Sequence, residues 1–331
     1  MRRASLMLKV TKNERRFPPM KKAKHASGKS VWEIIRRDFS LNKYLYLLAL
    51  AGVLYYIIFI YLPMFGVIMA FQDFNITKGF LGSPLVGLKH FKSFFSSYFF
   101  GRLIRNTLLI NIYNLIFSFP IPIVFALLLN ELQSQKFKKT VQTVSYLPYF
   151  ISMVVIGGLI HTFTAENGLI SNIVSSLGGP GGNLLIDPAN FRTIFVSSNI
   201  WQFFGWDSII YIAALAGIDV ALYEAATVDG AGRWQKMWHI TLPGIKPTII
   251  IMLILRLGSM MNVGFEKIIL LYNPSTYETA DVISSFVYRR GIQEADYSFS
   301  AAVGLFNSLV NFVLLVASNI VSRKVSETSL W

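Results

Sequence analysis

The sequence of 331 residues contains no cysteine and few charged residues. Without cysteine the chain cannot form a disulfide, a thiolate metal site or a cysteine nucleophile. Only 15% of the residues are charged and 53% are hydrophobic, a balance that is rare in water-soluble domains. The four histidines lack metal-ligand spacing, and no Ser-His-Asp or paired-carboxylate arrangement is visible. The composition therefore favours a membrane protein without a catalytic centre of its own.

The positive charge is concentrated at the start of the chain. The formal net charge is +14, and residues 1–43 contain thirteen Lys or Arg residues against three acidic residues. A basic segment directly before a long apolar block is typical of a cytoplasmic tail that lies near anionic lipid headgroups. Nucleic-acid binding is the alternative, but only Phe17 and Trp32 are interleaved with these basic residues as aromatics. We therefore expect membrane lipid, and no nucleic acid, as a partner.

Six apolar blocks are long enough to cross a bilayer, which requires about 20 residues of helix. Four of them carry no charge, whereas the fourth contains Asp207 and the fifth contains Arg256, Glu266 and Lys267. In chain order the blocks are Tyr44–Gln72, Thr107–Asn130, Thr140–Ala165, Thr193–Ile218, Pro247–Tyr272 and Tyr297–Ser322. The sequence predicts an all-α, polytopic membrane protein with six transmembrane helices.

The distribution of Lys and Arg predicts that both termini are cytoplasmic. With the amino terminus inside and six crossings, twenty-one Lys and Arg residues lie on the cytoplasmic side and eight lie outside, as the positive-inside rule expects. This divides the chain into a basic cytoplasmic tail (1–43), a transmembrane domain (44–323) and a short cytoplasmic tail (324–331). In the third outer loop, Val282, Ile283, Phe286 and Val287 have helical spacing, which predicts a short helix lying on the outer surface.

The cytoplasmic segment between the fourth and fifth blocks, residues 219–246, predicts two short helices. The first covers Leu222–Val228, and Asp229 and Gly230 end it, with Asp229 able to cap the next turn. The second helix runs to Pro243, where the proline is expected to end it. Two helices that meet at a glycine form a projection suited to a groove on another protein, and an ordinary interfacial loop is the alternative.

This segment resembles the EAA motif of binding-protein-dependent ABC importer permeases. The matching runs are Glu224-Ala225-Ala226, Asp229-Gly230-Ala231 and Ile240-Thr241-Leu242-Pro243. The resemblance implies the type I permease fold, in which this motif is the coupling helix that occupies a cleft of the ATPase. The residues expected to couple to the ATPase are Glu224, Ala225, Ala226, Asp229, Gly230, Ala231, Trp234, Met237, Leu242 and Pro243.

Two further patterns resemble carbohydrate-type members of this family. Residues 86–91 and Asn106-Thr107 are similar to the loop that leads to their second span. Residues 258–266 together with Leu271-Tyr272-Asn273-Pro274 are similar to the subgroup that imports fragments of complex polysaccharides. The resemblance therefore implies translocation of a sugar or oligosaccharide, with an acidic polysaccharide fragment as one candidate.

The resemblance also implies the partners of the chain. These are a second homologous permease, two ATPase subunits, an extracellular solute-binding protein and a carbohydrate substrate, in the inner membrane of a bacterium. ATP and Mg would be bound by the ATPase, so no cofactor or metal and no catalysis are expected in this chain. The alternatives are a membrane-embedded enzyme or sensor scaffold, and an importer of a non-sugar solute such as phosphate, peptides or amino acids.

Polar side chains inside the predicted spans are candidates for a substrate pathway, because charges and amides are costly in lipid. Carbohydrate recognition uses amides and aromatic faces, and packing between helices is the alternative role for each residue. The candidates are Asn111, Gln202, Trp206, Tyr211, Arg256 and Asn262. We expect Arg256 near the middle of its span, and Glu266 and Lys267 nearer the outside, where they can snorkel. Arg256 and the basic first outer loop point to an anionic oligosaccharide.

Overall fold

The computed structural model describes residue 32, residues 38–326 and residues 329–330. Most of the predicted basic tail, residues 1–43, lies outside the described residues. Packing divides the chain into two units, residues 1–65 and residues 66–331. The described part is helical, and its only β-type pairing is a single antiparallel bridge between Gln72 and Leu85.

Short helices lie between the longer ones, singly or in succession. In chain order they are α1 (Lys43–Phe71), α2 (Gly79–Gly82), α3 (Lys89–Phe95), α4 (Phe100–Asn130), α5 (Gln135–Tyr146), α6 (Met153–Thr164), α7 (Leu169–Ser176), α8 (Pro188–Ala216), α9 (Val220–Val228), α10 (Arg233–Gly258), α11 (Phe265–Leu271), α12 (Tyr277–Ala280), α13 (Ile283–Tyr288) and α14 (Tyr297–Ser326). Stretches of 3-10 or π helix adjoin several of them, among them Leu147–Phe150 after α5 and Arg289–Gln293 after α13.

Five helices within residues 38–326 are long and apolar enough to cross a membrane. The number becomes six if α8 and α9, which are bent by 69° relative to each other, form one broken span. The spans are α1, α4, Met153–Ser176, α10 and α14, with the α8–α9 pair as the sixth. The predicted all-α membrane protein is thus confirmed, although two of the predicted spans have different bounds.

The third predicted span, Thr140–Ala165, is not one continuous helix. α5 ends at Tyr146, and Pro148 lies in the 3-10 turn that follows it. A new helix begins after Ser152, whose hydroxyl accepts a hydrogen bond from a backbone amide of the first turn. Proline lacks the amide hydrogen that a continuing helix needs, and serine is a favourable N-cap. The crossing segment is therefore Met153–Ser176 rather than the whole apolar block.

The fifth predicted span, Pro247–Tyr272, is also interrupted. α10 continues from Arg233 past Pro243 to Gly258, so the prediction that Pro243 ends the second short helix is wrong. Pro243 lies in the first α-helical turn after a π-helical turn, a position where proline is tolerated. The chain then leaves the helix at Gly258 and starts α11 at Phe265. Arg256 consequently lies at the end of a helix and not in the middle of one.

α13 confirms a helix in the third outer loop but not its position on the outer surface. Ile283 is 1% exposed, and with Phe286 it packs against Leu103 of α4 and Phe299 of α14. The apolar face that suggested contact with a surface therefore packs between α4 and α14.

α8 is the central element of residues 66–331. Its Tyr211 packs in a core cluster with Ile123 of α4 and Ile245 of α10. On another side, Gly205 lies against α5, because a Cβ atom there would stand 2.1 Å from the Ser145 carbonyl oxygen. The close packing places one face of α8 next to α4, α5 and α10. The cavity described below lies along this face.

Candidate functional site

A polar cavity of about 390 Å3 lies between α4, α8, α10, α11 and the turn that follows α5. Asparagine and serine side chains line it together with Asp207, Arg256 and Lys267. Aromatic rings from α8 and from the turn form another part of the wall. A second cavity of about 220 Å3 shares Asp207 and Arg256 with the first and adds Tyr211. Three of the four charged residues predicted within the spans thus line one cavity.

Four of the six predicted pathway residues line the larger cavity: Asn111, Trp206, Arg256 and Asn262. Tyr211 is 2% exposed and lies beside the smaller cavity. Gln202 is also 2% exposed and is placed behind the wall, where it accepts a hydrogen bond from Lys267. The structure brings these side chains together, and their contact with substrate stays a prediction.

Tyr149 and Trp206 form the aromatic part of the wall. Their rings stack with centroids 4.2 Å apart and planes 3° apart, and Phe150 meets Trp206 edge-on at 5.5 Å. A large aromatic face with a polar tip is a common lining of ligand sites. Tyr149 was missed in the sequence because it lies within the apolar block Thr140–Ala165, where the break at Pro148 is not evident.

Lys267 anchors a chain of hydrogen bonds in the wall. It is 1% exposed, so the expectation that it snorkels to the outside is wrong. Its Nζ donates to Asn199 Oδ1 at 2.8 Å and to Gln202 Oε1 at 3.2 Å. Asn199 Nδ2 in turn donates to Asn114 Oδ1 at 3.2 Å, and the Ser118 hydroxyl donates to the same oxygen at 3.2 Å. The side chain is buried because polar acceptors from α8 reach it.

Asn262 belongs to a second amide group that joins the break between α10 and α11 to α14. Its Oδ1 accepts hydrogen bonds from Asn307 at 2.9 Å and from Asn311 at 3.2 Å. The Met261 amide donates to Asn311 Oδ1 at 2.9 Å. These contacts satisfy backbone and side-chain groups where the helix is interrupted, and they fix the position of Asn262 on the cavity wall.

Asp207 and Arg256 face the same two cavities from α8 and α10. They are near enough to attract one another, although within residues 38–326 neither makes an ion pair at 4.0 Å or less. Glu266, the fourth charged residue of the predicted spans, is exposed and does not line the cavity. Among the ionisable side chains of the wall, two are basic and one is acidic.

Of the five basic residues in the predicted first outer loop, Lys89 and Arg102 have acidic partners within the chain. Asp281 is completely buried, and its Oδ2 lies 2.8 Å from Arg289 and 3.1 Å from Arg102. Burial acts to lower the pKa of Arg289, but the hydrogen bond and charge of Asp281 outweigh it and leave that pKa raised. Lys89 pairs with Asp73 at 2.6 Å. The outer loops therefore give weaker support for an anionic substrate than their composition indicates.

The helix-turn-helix segment 219–246 forms a compact unit. Asp219 caps α9 by accepting a hydrogen bond from the Ala221 amide at 2.9 Å. At the other end, the Gly230 amide bonds to the Thr227 carbonyl and the Ala231 amide bonds to the Ala226 carbonyl. This is a Schellman motif, and Gly230 adopts φ +76° as the motif requires. The helix end predicted at Asp229 and Gly230 is confirmed.

The second helix of this segment is capped differently from the prediction. The Gly232 amide donates to Gln235 Oε1 at 2.7 Å, so Gln235 and not Asp229 satisfies a free amide at this helix start. Lys236 Nζ donates to Thr227 Oγ1 at 2.7 Å, which ties the second helix back to the first. The two helices are consequently held in a fixed relative position.

The predicted coupling residues differ in exposure. Those that are exposed are Glu224, Ala225, Asp229, Gly230, Trp234 and Pro243, and those that are half-buried are Ala226, Ala231, Met237 and Leu242. Val228, which was not singled out from the sequence, is 88% exposed, and Trp238 is 60% exposed. Exposed aromatic and aliphatic side chains on one small projection are typical of a protein-protein contact.

Comparisons with known proteins agree with this geometry. Residues 111–327 match the family model of the binding-protein-dependent transport system inner membrane component. The chain is 43% identical to protein LplB of Bacillus subtilis (strain 168), over 92% of this chain and 95% of that protein. It is 42% identical to the polygalacturonan/rhamnogalacturonan transport system permease protein YteP of the same organism, over 88% and 91%.

A solved structure is similar over nearly the whole chain. It is the crystal structure of a bacterial alginate ABC transporter in complex with an alginate pentasaccharide-bound periplasmic protein. One of its chains superposes with a TM-score of 0.82 and 44% identity, covering 91% of this chain and 100% of that chain.

Proposed function

Because the chain belongs to the family of binding-protein-dependent transport system inner membrane components, we propose that it is the transmembrane permease subunit of an ABC importer for a sugar or oligosaccharide. The observation that supports a carbohydrate is the cavity wall, where amides surround the stacked rings of Tyr149 and Trp206. Amides and hydroxyls match the hydroxyl groups of a sugar, and aromatic faces provide apolar contact. The names of the relatives point to the same class of substrate.

An acidic oligosaccharide is the substrate that the charges favour within this class. Arg256 and Lys267 outnumber Asp207 on the wall. The similar solved structure is that of an importer of alginate, described there as an acidic polysaccharide. A fragment with uronic acid rings combines the hydroxyl groups and the negative charge that this wall accommodates.

The membrane arrangement follows from the spans and the basic residues. We place the protein in the cytoplasmic membrane of a bacterium with both termini inside. In this arrangement, residues 44–323 form the permease domain between the basic tail 1–43 and the short tail 324–331. Segment 219–246 then projects into the cytoplasm, where its exposed Trp234 and Trp238 contact the ATPase.

The proposed partners are a second permease, two ATPase subunits and an extracellular solute-binding protein. Trp206 is 37% exposed and Arg256 is also exposed in this chain, which supports a second subunit that closes the cavity from the open side. ATP and Mg bind to the ATPase in this proposal, and this chain transmits motion and does not catalyse a reaction. Glu224 and Gly230 are the residues we assign to that transmission.

The test is co-purification of the tagged chain expressed with its neighbouring genes. We expect a second permease and an ATPase to purify with it, and the ATPase activity to rise when binding protein loaded with an oligosaccharide is added. A chain that purifies without any ATPase would favour a membrane-embedded enzyme or sensor scaffold. A complex that responds to a phosphate, peptide or amino-acid binding protein but to no sugar would contradict the carbohydrate assignment.

A further inference from the structure

Lys267 is a buried lysine without an acidic partner within residues 38–326. Its side chain is 1% exposed, and both hydrogen-bond acceptors it reaches, Asn199 Oδ1 and Gln202 Oε1, are neutral amides. Burial lowers the pKa of Lys267 to about 7, and no acidic side chain of the described chain offsets this effect. A buried charge is costly unless it is paired. Neutral groups alone stabilise the charged form of Lys267 among the described residues, so an anion in the cavity would stabilise it further.

The charged Lys267 side chain has one N–H donor more than the two hydrogen bonds that it makes within the chain. An ammonium has three N–H donors and no acceptor, and the two amides occupy two of the three. The third is available to the cavity that Lys267 lines.

The hydrogen bonds of Lys267 also determine how amide groups further along the cavity wall are oriented. Because Lys267 can only donate, it holds the Asn199 carbonyl oxygen toward itself and turns the Asn199 Nδ2 group toward Asn114. Asn114 Oδ1 accepts from Asn199 and from Ser118. The Nδ2 group of Asn114 has no partner within the described part of the chain and belongs to a residue that lines the cavity. One lysine therefore fixes a second donor at the surface.

Arg256 differs from Lys267 because an acidic side chain lies near it. Arg256 is exposed, and Asp207 on the facing helix attracts it and offsets its charge. Among the described residues, Lys267 contacts only neutral groups, the amides of Asn199 and Gln202 and the ring of Phe195 at 5.8 Å. A group that only accepts hydrogen bonds and carries negative charge complements the donors of Lys267 and Asn114 better than a neutral hydroxyl does.

We infer that Lys267, directly and through Asn199 and Asn114, recognises a carboxylate of a sugar ring in the cavity and selects uronate-containing oligosaccharides over neutral ones. This inference rests on the proposed function, because it names the feature by which the same cavity discriminates among sugars. Lys267 and Asn114 are its binding groups, and Asn199 is a positioning residue that holds the Asn114 amide.

The experiment uses the complete transporter, reconstituted in lipid nanodiscs without binding protein so that the selectivity of that protein does not enter. The probes are two radiolabelled uronate oligosaccharides, one from galacturonan and one from alginate, and their counterparts with each carboxyl reduced to an alcohol. For the unmodified chain we expect at least one acidic probe to bind about tenfold or more tighter than its reduced counterpart.

The variants separate recognition from packing. Lys267→Met keeps most of the volume and removes the charge, and it should reduce the ratio of the two affinities of a pair to roughly a third or less of its unmodified value. Lys267→Arg should retain the preference, because it retains the charge. Asn114→Asp replaces a donor by an acceptor without changing size, and it should abolish the preference even if Lys267→Met does not fold. Lys78→Met is the control, since Lys78 is an exposed outer cation away from the cavity.

The outcomes distinguish the inference from the proposed function. The inference is overturned if no variant changes the ratio of the two affinities, or if Lys267→Met weakens the binding of acidic and neutral probes equally. Lys267 would then only link α11 to α8 by hydrogen bonds. If Lys78→Met reduces the preference as much as Lys267→Met, long-range electrostatic attraction explains the selectivity. The assignment of carboxylate recognition to Lys267 then fails. If the unmodified complex binds none of the four probes, the proposed function of the cavity fails as well.

Discussion

Tyr149 and Trp206 stack face to face although 57 positions separate them in the chain, with ring centroids 4.2 Å apart. The stack joins the turn after α5 to the cavity wall of α8. A break in one helix therefore provides the second ring of an aromatic platform.

Trp206→Ala should reduce the response of the transporter to sugar. Loss of the ring removes an aromatic pair that contributes about 1 kcal/mol as well as contact area, so we expect the apparent affinity for oligosaccharide to fall roughly tenfold. The measurement is ATPase activity of the complex against the concentration of loaded binding protein and sugar. Trp201→Ala is the matched control, because Trp201 is on the same helix but lines an apolar groove on another side. Equal losses in both variants would contradict a role for the stack.

Gly230→Ala should weaken coupling more than Gly232→Ala. Gly230 has φ +76°, where a Cβ atom costs about 1 kcal/mol, whereas Gly232 has φ −71° and room for a methyl group. Gly230→Pro should abolish coupling, since proline cannot adopt this φ and also removes the amide that bonds to Thr227. The measurement is uptake relative to ATP hydrolysis in proteoliposomes with normal amounts of inserted protein. Normal uptake by Gly230→Pro would remove the coupling role of this turn.

Glu224→Lys should leave membrane insertion intact and uncouple transport. Glu224 is exposed on α9, so reversing its charge disturbs a surface and not a core. We expect the ATPase to dissociate more readily from the complex, which pull-down at several salt concentrations would measure. Glu278→Lys, at an exposed glutamate of α12 outside the candidate spans, is the control. If both variants retain the ATPase and transport normally, Glu224 is not part of the contact.

Arg256→Ala should impair uptake of an acidic oligosaccharide more than uptake of a neutral one. The guanidinium lines both cavities and is the more accessible of the two cations there. Its removal leaves Asp207 on the wall, and the net charge facing an anionic sugar falls. Uptake of a uronate oligosaccharide and its carboxyl-reduced counterpart would be compared in the same cells. Equal effects on the two sugars would make the role of Arg256 structural.

Asp281→Asn should lower the stability of the outer end of the bundle. The carboxylate is fully buried and accepts hydrogen bonds from Arg102, Arg289 and Ser285. Removing one partner of a buried ion pair costs about 3–5 kcal/mol, so the midpoint of thermal unfolding in detergent should fall by several degrees. Asp73→Asn, which disrupts an exposed pair with Lys89, should change it much less. A midpoint unaltered by Asp281→Asn would show that the pair does not stabilise the fold.

The sequence alone predicts the features that depend on local chemistry. The lengths of the apolar blocks require membrane helices, and Gly230 is one of the few residues suited to ending α9. The breaks at Ser152 and after Gly258 were not predicted, because apolar and small residues continue through both. Pro243 was misread, because proline in the first turn of a helix is tolerated and only its interior is forbidden.

Tertiary contacts explain the remaining differences between the predictions from the sequence and the structure. Lys267 was expected near lipid headgroups, yet acceptors on α8, more than sixty positions away, make its burial possible. The sequence identifies Asn111, Trp206, Arg256 and Asn262 as unusual residues in apolar blocks. It does not show that they share a wall, since this depends on the packing of α8 against α4 and α10.

α10 runs without a break from the exposed Trp234 to Arg256 on the cavity wall. At 1.5 Å per residue, these two side chains are connected by a single rod of about 33 Å. In the proposed importer, a displacement of Trp234 would be transmitted to the Arg256 guanidinium along one helix axis, without passing through a loop. Pro247, inside the rod, is the point where it can flex. In that proposal, the stiffness of α10 at Pro247 determines how much of the displacement reaches Arg256.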